Sequence, residues 1–98
     1  MALEIEFTHR AEHNLEVILA YLEVKWSAKV KTDFLAKLSE QLFLISEMPF
    51  LYPASSVKKD IRRCVVNKHT AVYYRIEAER ILVITIQDTR MNPENLQL

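Results

Sequence analysis

The chain has 98 residues, half of them hydrophobic and 27% charged, with thirteen Lys and Arg balancing thirteen Asp and Glu. These proportions describe a single domain, residues 1–98, with one modest core, and they leave no net charge to draw in a polyanion. Glycine is absent, which excludes a Walker loop, a dinucleotide fingerprint, a nucleophile elbow and an EF-hand, because each needs glycine for a tight turn or a close backbone approach.

The neutrality is uneven. Residues 1–52 carry five bases and eight acids, and residues 53–98 carry eight bases and five acids. The lone Cys64 can form no internal disulfide and no thiolate metal cluster. The acidic N-terminus does not read as a secretory signal, and no apolar run approaches a membrane span. A cytoplasmic protein with no membrane partner is expected.

Leu3, Ile5 and Phe7 alternate with Glu4 and Glu6, the pattern of a short half-buried strand. Thr8 is placed to cap a helix whose apolar stripe is Ala11, Leu15, Ile18, Leu22 and Trp26. Ser27 is placed to cap a second, with the stripe Val30, Phe34, Leu38, Leu42 and Ile45; Glu47, Met48 and Pro49 mark its end. Two such helices with a short break between them predict an antiparallel hairpin. Pro49 and Pro53 bracket a loop holding Phe50, Leu51 and Tyr52. Three strands are expected after it, at Ile61–Val66, Thr70–Ile76 and Ile81–Ile86. Asn67-Lys68 and Ala78-Glu79 would turn them, with Asn taking the left-handed conformation that glycine would otherwise supply. Met91–Leu98 reads as a polar tail. The fold class is α+β: a helical hairpin on one face of a small, four-stranded, mostly antiparallel sheet, with the other face open.

In this order and spacing the chain resembles the RelE/ParE superfamily of bacterial type II toxins. The features that carry the resemblance are the helix Ala11-Glu-His-Asn-Leu15-Glu-Val-Ile18-Leu-Ala-Tyr21, the Met48-Pro49 helix end, and Ile61-Arg-Arg-Cys-Val. They continue with Tyr73-Tyr-Arg75-Ile, the run Ile81-Leu-Val-Ile-Thr-Ile-Gln-Asp-Thr-Arg90, and Asn92-Pro93. The resemblance implies a toxin that either inhibits DNA gyrase or cleaves mRNA on the ribosome, neutralised by a cognate antitoxin in a hetero-oligomer. It implies no cofactor and no metal. The nuclease branch relies on Lys, Arg and a C-terminal Tyr or His; here the last strand runs into Gln87-Asp88-Thr89, with no Tyr or His near the C-terminus. Thr70-Ala71-Val72 also lacks the Arg of that branch. The gyrase-inhibiting, ParE-like branch is therefore favoured, with a RelE-like metal-independent mRNA endoribonuclease or a degenerate, non-toxic family member as the alternatives. In the nuclease alternative the catalytic candidates are Lys58, Lys59, Arg63, Arg75 and Arg90.

Strand alternation gives the face assignments. With Val72, Tyr74 and Ile76 toward the helices, Tyr73 and Arg75 point outward. By the same rule Leu82, Ile84 and Ile86 point inward, and Val83, Thr85 and Gln87 outward. Six bases and one acid lie between Lys58 and Arg75. Arg62, Arg63, Tyr73, Arg75 and Arg90 are the expected target-binding residues, since guanidinium forks beside aromatic faces suit anionic or planar partners. Val17, Tyr21 and Val24 form a second stripe on the first helix. A helix apolar on two sides needs a second cover. With Phe50 and Tyr52, this stripe is the expected antitoxin surface. His9, Glu12 and His13 match H-x-x-E-H, but a polar first turn without a third ligand does not predict zinc.

Overall fold

The computed structural model describes residues 2–90; the expected tail at 91–98, with Asn92-Pro93, lies outside the described residues. Glu4–Phe7 forms β1, His9–Lys25 α1, Ala28–Glu47 α2, Arg62–Val65 β2, Thr70–Ile76 β3 and Arg80–Asp88 β4. The strands make one sheet in the order β1-β4-β3-β2. β4–β3 and β3–β2 are antiparallel, and β1 lies parallel to β4. A parallel pair needs a long connection, and here nearly the whole chain separates its members.

Both helices start where side-chain oxygens cap them. The Thr8 hydroxyl accepts from Ala11 N–H at 3.1 Å, and Ser27 Oγ accepts from Val30 N–H at 3.1 Å. Thr8 also binds β4: its N–H donates to Val83 O at 3.0 Å and its hydroxyl to Ile84 O at 2.7 Å. β1 ends at Phe7, opposite Val83, so Thr8 continues the closure of β4's edge while the chain turns into α1. Asn14, in the second turn of α1, extends that closure. Its Oδ1 accepts from Ile86 N–H at 3.1 Å and from the Thr85 hydroxyl at 2.6 Å. An edge that would otherwise expose unpaired amides is thus covered by a helix.

The main core lies between the hairpin and the sheet. Ala11, Ile18 and Leu22 of α1 and Phe34, Leu38 and Ile45 of α2 are buried against Cys64, Val72, Tyr74, Ile81, Val83 and Ile86. Most of both expected stripes is therefore correct. Trp26 is not: it is 60% exposed. It stands at the C-cap of α1 with φ −122° and ψ −88°, past the last helical residue, so the helical period no longer directs its side chain. Val30, in the first turn of α2, is also exposed.

The inward set of β4 differs from strict alternation. Ile81 and Val83 join the core in place of Leu82 and Ile84. The cause is a bulge: Tyr74 pairs with Val83 but Tyr73 pairs with Thr85, which leaves Ile84 as the extra residue. The bulge resets the parity, so Ile86 faces the core as expected. Ile84 packs outward with Ile61, Ala71 and Tyr73, and Thr85 turns to Asn14 instead of solvent. The outer face is therefore not fully open, because it carries this small second cluster.

The β2–β3 connection also departs from expectation. No described residue has positive φ. Instead Asn67 Oδ1 accepts from His69 N–H at 2.8 Å and Thr70 N–H at 2.9 Å. This Asx-type turn is longer than two residues and spares the chain a left-handed backbone.

Asn14→Ala strands the Ile86 N–H and the Thr85 hydroxyl, at a cost of about 1–3 kcal/mol. Trp26→Ala, in contrast, should stay within about 0.5 kcal/mol of wild type. Urea denaturation of the two variants beside wild type checks both; equal stability for Asn14→Ala would show that water replaces Asn14 at the β4 edge.

Candidate functional site

The expected target-binding residues divide among three places. The first is the outer sheet face. Arg63 pairs across strands with Tyr73, and its Nε donates to the Tyr73 hydroxyl at 3.1 Å. Arg63 is exposed and Tyr73 buried. Arg75 is on the same face, as alternation predicts, because its neighbour Tyr74 faces the core. Its guanidinium is already engaged: Nε and Nη2 reach Glu77 Oε2 at 3.1 and 2.8 Å. Glu77 also accepts from Arg80, and Arg80 in turn pairs with Glu6 of β1. Hydrogen bonds from Arg75 and then Arg80 hold the Glu77 carboxyl below its ordinary pKa. This is a solvent-exposed network, worth little to stability for each pair.

The second place is the helix side of the sheet, where Arg90 lies. Arg90 Nη2 and Nε bind Asp88 at 2.6 and 3.0 Å, and the Arg90 N–H donates to Asp88 Oδ1 at 2.9 Å. Asp88 is buried and also accepts from the Thr70 hydroxyl at 3.0 Å. The Arg90 guanidinium stands 5.8 Å from the centroid of the Tyr21 ring on α1. With Leu22, Val30, Asp33, Phe34, Lys37 and Asn67, Arg90 lines a pocket of about 230 Å³ between the helices and the β2–β3 turn. Burial pushes the Asp88 carboxyl up, but the bonds from Arg90 and Thr70 outweigh it and leave the pKa lowered.

The third place is the β2 edge, where Arg62 lies. Its Nη1 donates to Tyr52 O at 2.7 Å, and its guanidinium stands 4.9 Å from the Phe50 ring centroid. Lys58 and Lys59 are exposed on the loop that leads to this strand. The five basic candidates for phosphate chemistry thus do not converge: Arg63 and Arg75 share the outer face, Arg90 is on the other side of the sheet, and Arg75 and Arg90 are held by carboxylates.

The expected antitoxin residues fall into two groups. Val17 and Val24 are 38% and 80% exposed on α1, with Tyr21 half-buried between them beside Arg90. Phe50 and Tyr52 belong to the β2 edge, far across the sheet, and do not extend the α1 stripe. Tyr52 is half-buried with its hydroxyl donated to Gln41. Sequence reasoning missed Glu77, Asn14 and Gln41 as partners. The short spacings Arg75-x-Glu77 and Asp88-x-Arg90 were the available signal for two ion pairs. Among the described residues no group of three or more His, Cys, Asp or Glu is placed to hold a metal ion.

This architecture, a helical hairpin on a four-stranded sheet with β1 beside β4, is that of the RelE/ParE-type toxins. A chromosomal ParDE toxin–antitoxin structure from P. aeruginosa superimposes with a TM-score of 0.75 at 13% identity, covering 89% of this chain and 96% of that one. A YoeB/ParE toxin from Agrobacterium tumefaciens gives 0.65 at 13% identity over 88% and 98%. The E. coli DinJ-YafQ toxin-antitoxin complex gives 0.63 at 10% identity over 94% and 98%. At these identities the likeness is one of fold alone. The sequence narrows it: residues 5–93 match the model of the ParE toxin of the type II toxin-antitoxin system, parDE. Toxin ParE1 of Caulobacter vibrioides is 28% identical over 86 residues, 87% of this chain and 88% of that protein. The chain belongs to the ParE toxin family.

The Asp88–Arg90 pair sets a pH dependence. A carboxyl whose folded pKa is lowered contributes stability above its unfolded pKa, about 4, and loses it as pH falls through the lower folded value. Wild type should therefore exceed Asp88→Asn in stability at neutral pH, and the gap should close below about pH 4. Melts of both proteins from pH 7 to pH 2 test this; a gap independent of pH would mean that shape, not ionisation, is what Asp88 provides.

Proposed function

We propose that this ParE-family toxin arrests growth by binding DNA gyrase, and that a cognate antitoxin neutralises it by laying an amphipathic segment on the Val17/Tyr21/Val24 face of α1. One observation carries the gyrase reading. The cations that phosphate cleavage would need are on both sides of the sheet, and two of them are neutralised within the chain. Transition-state stabilisation of a phosphate requires donors aimed together at one developing charge. A dispersed set suits recognition of a protein surface instead. The match to the ParE toxin family and the likeness to Toxin ParE1 support the same branch.

The antitoxin reading is supported by the exposed α1 stripe. Spacings of four and three residues put Val17, Tyr21 and Val24 on one helical face, which suits a helix or extended segment with an apolar side. The P. aeruginosa and E. coli structures that share the fold come from a ParDE system and a toxin–antitoxin complex.

Purified toxin should block gyrase supercoiling and leave mRNA intact on translating ribosomes; the reverse pattern would replace gyrase with mRNA as the target. Within that assay Arg63→Ala should reduce potency more than Arg75→Ala. Arg63 has only a neutral hydroxyl as its described partner, whereas Arg75 is already bonded to Glu77. For the antitoxin, Val24→Lys should weaken binding by about ten-fold or more while leaving the melting temperature unchanged, since an interface anchor contributes about 2 kcal/mol. Calorimetric titration measures it, and wild-type affinity in Val24→Lys would remove this face of α1 from the interface.

A further inference from the structure

The segment that joins α2 to β2 combines a braced backbone with exposed apolar side chains. Tyr74, fully buried, donates its hydroxyl to Pro49 O at 2.7 Å. Burial pushes its phenol up to about 12, so it stays a neutral donor throughout the physiological range. The Leu51 N–H closes a turn onto Met48 O at 3.0 Å. Arg62 holds Tyr52 O, and the Tyr52 hydroxyl bonds Gln41 of α2. Residues 48–52 are thus held by groups on β3, β2 and α2. Yet Phe43, Met48, Phe50 and Leu51 are 61%, 47%, 70% and 53% exposed. The buried Tyr74 and the edge Arg62 hold the carbonyls of Pro49 and Tyr52 on either side of Phe50 and Leu51, and both of those side chains are exposed.

The charge beside this surface is also unspent. Arg75, Arg80 and Arg90 each bind a carboxylate. Arg62 binds only a neutral carbonyl and the Phe50 ring, with no carboxylate partner among the described residues. Its remaining N–H groups keep a full positive charge and fork geometry for an outside anion. Aromatic residues with Arg at their flank, preset before contact, are the composition of an interface anchor.

We propose that Phe50, Leu51 and Arg62 form the knuckle by which this toxin docks on its protein target, and that the target presents an apolar pocket rimmed by carboxylates. The inference rests on the toxin reading above but not on which protein the target is. The knuckle stands at the β2 edge, while α1 runs along the opposite, β4 side of the sheet. The target-binding and antitoxin-binding surfaces are therefore separate.

The test uses full-length wild type, Phe50→Asp, Phe50→Tyr and Leu51→Asp in four measurements: growth arrest on expression, gyrase supercoiling, antitoxin affinity and thermal melting. Both Asp variants should melt within a few degrees of wild type, because the replaced side chains are exposed. They should keep antitoxin affinity within about two-fold and lose toxicity by about ten-fold or more, the scale of a truncated anchor. Phe50→Tyr, which keeps the ring for Arg62, should stay toxic. Full growth arrest by folded Phe50→Asp and Leu51→Asp overturns the knuckle. So does loss of antitoxin binding with potency retained, which would assign the surface to the antitoxin. If wild type arrests growth but leaves gyrase active, gyrase fails as the target while the growth comparison still decides the knuckle. If wild type does not arrest growth, the toxin reading falls and the knuckle with it. Should one Asp variant fail to fold, the other reads the same surface.

Discussion

Past Phe7, the free edge of β4 has to be covered, and much of the molecule's arrangement follows from how that is done. β1 supplies only four residues of pairing. Thr8 then binds Val83 and Ile84, and Asn14 binds Thr85 and Ile86. The edge is passed from a strand to a helix without leaving those amides bare. Because Thr8 also caps α1, the same hydroxyl fixes where the helix starts and which way it leaves the sheet. α1 must then run alongside β4, which brings Tyr21 to Arg90 and sends α2 back across the inner face. The bulge at Ile84 belongs to this handover. It bends the strand where its edge partner changes, and it shifts the outward row so that Ile84 covers Tyr73 and Ala71.

This explains which parts of the fold were legible in the sequence. Helical periodicity and caps are local, and Thr8, Ser27, Phe34, Leu38 and Ile45 behave as their spacing implies. The limits of β3 follow from its composition for the same reason. Alternation along β4 failed from Leu82 to Ile84 because a bulge is a property of two strands and an edge partner, none of which is written in the run Ile81–Ile86. Trp26 failed because it continues a helical pattern one residue beyond the helix. Asn67 was correctly placed in a turn, but its side chain, not a left-handed backbone, makes the turn. The site was less legible than the fold. The types of its residues were clear, yet the assignment of Arg90 to the sheet side opposite Arg63, and the neutralisation of Arg75 by Glu77, depend on tertiary placement.

Charge pairing separates the arginines into two kinds. Arg75, Arg80 and Arg90 act within the molecule, and Arg90 in particular ties the end of β4 to β3 through Asp88 and Thr70, and to α1 through Tyr21. Arg62 and Arg63 bind neutral oxygens and retain their charge. They are adjacent in β2, so alternation sends one to each face, and a single short edge strand presents cationic groups on both sides. One short edge strand thus offers cationic groups, unpaired among the described residues, to both sides of the sheet without enlarging the domain.

Cys64 gives the hairpin–sheet seam a chemical handle. Its side chain is fully buried, its Sγ lies 3.5 Å from Gln41 Oε1 of α2, and burial raises its thiol pKa. A thiol reagent can reach it only after the cover formed by α2 and Tyr52 has opened, and the thiol is then freed from the burial that raised its pKa. The rate of modification therefore counts openings of this seam, whether α2 or the Tyr52 loop moves, independently of fraying at the termini. A partner that holds α2 or the Tyr52 loop in place would slow that rate, and one bound elsewhere would change it far less, so the protein carries its own reporter of where a partner sits.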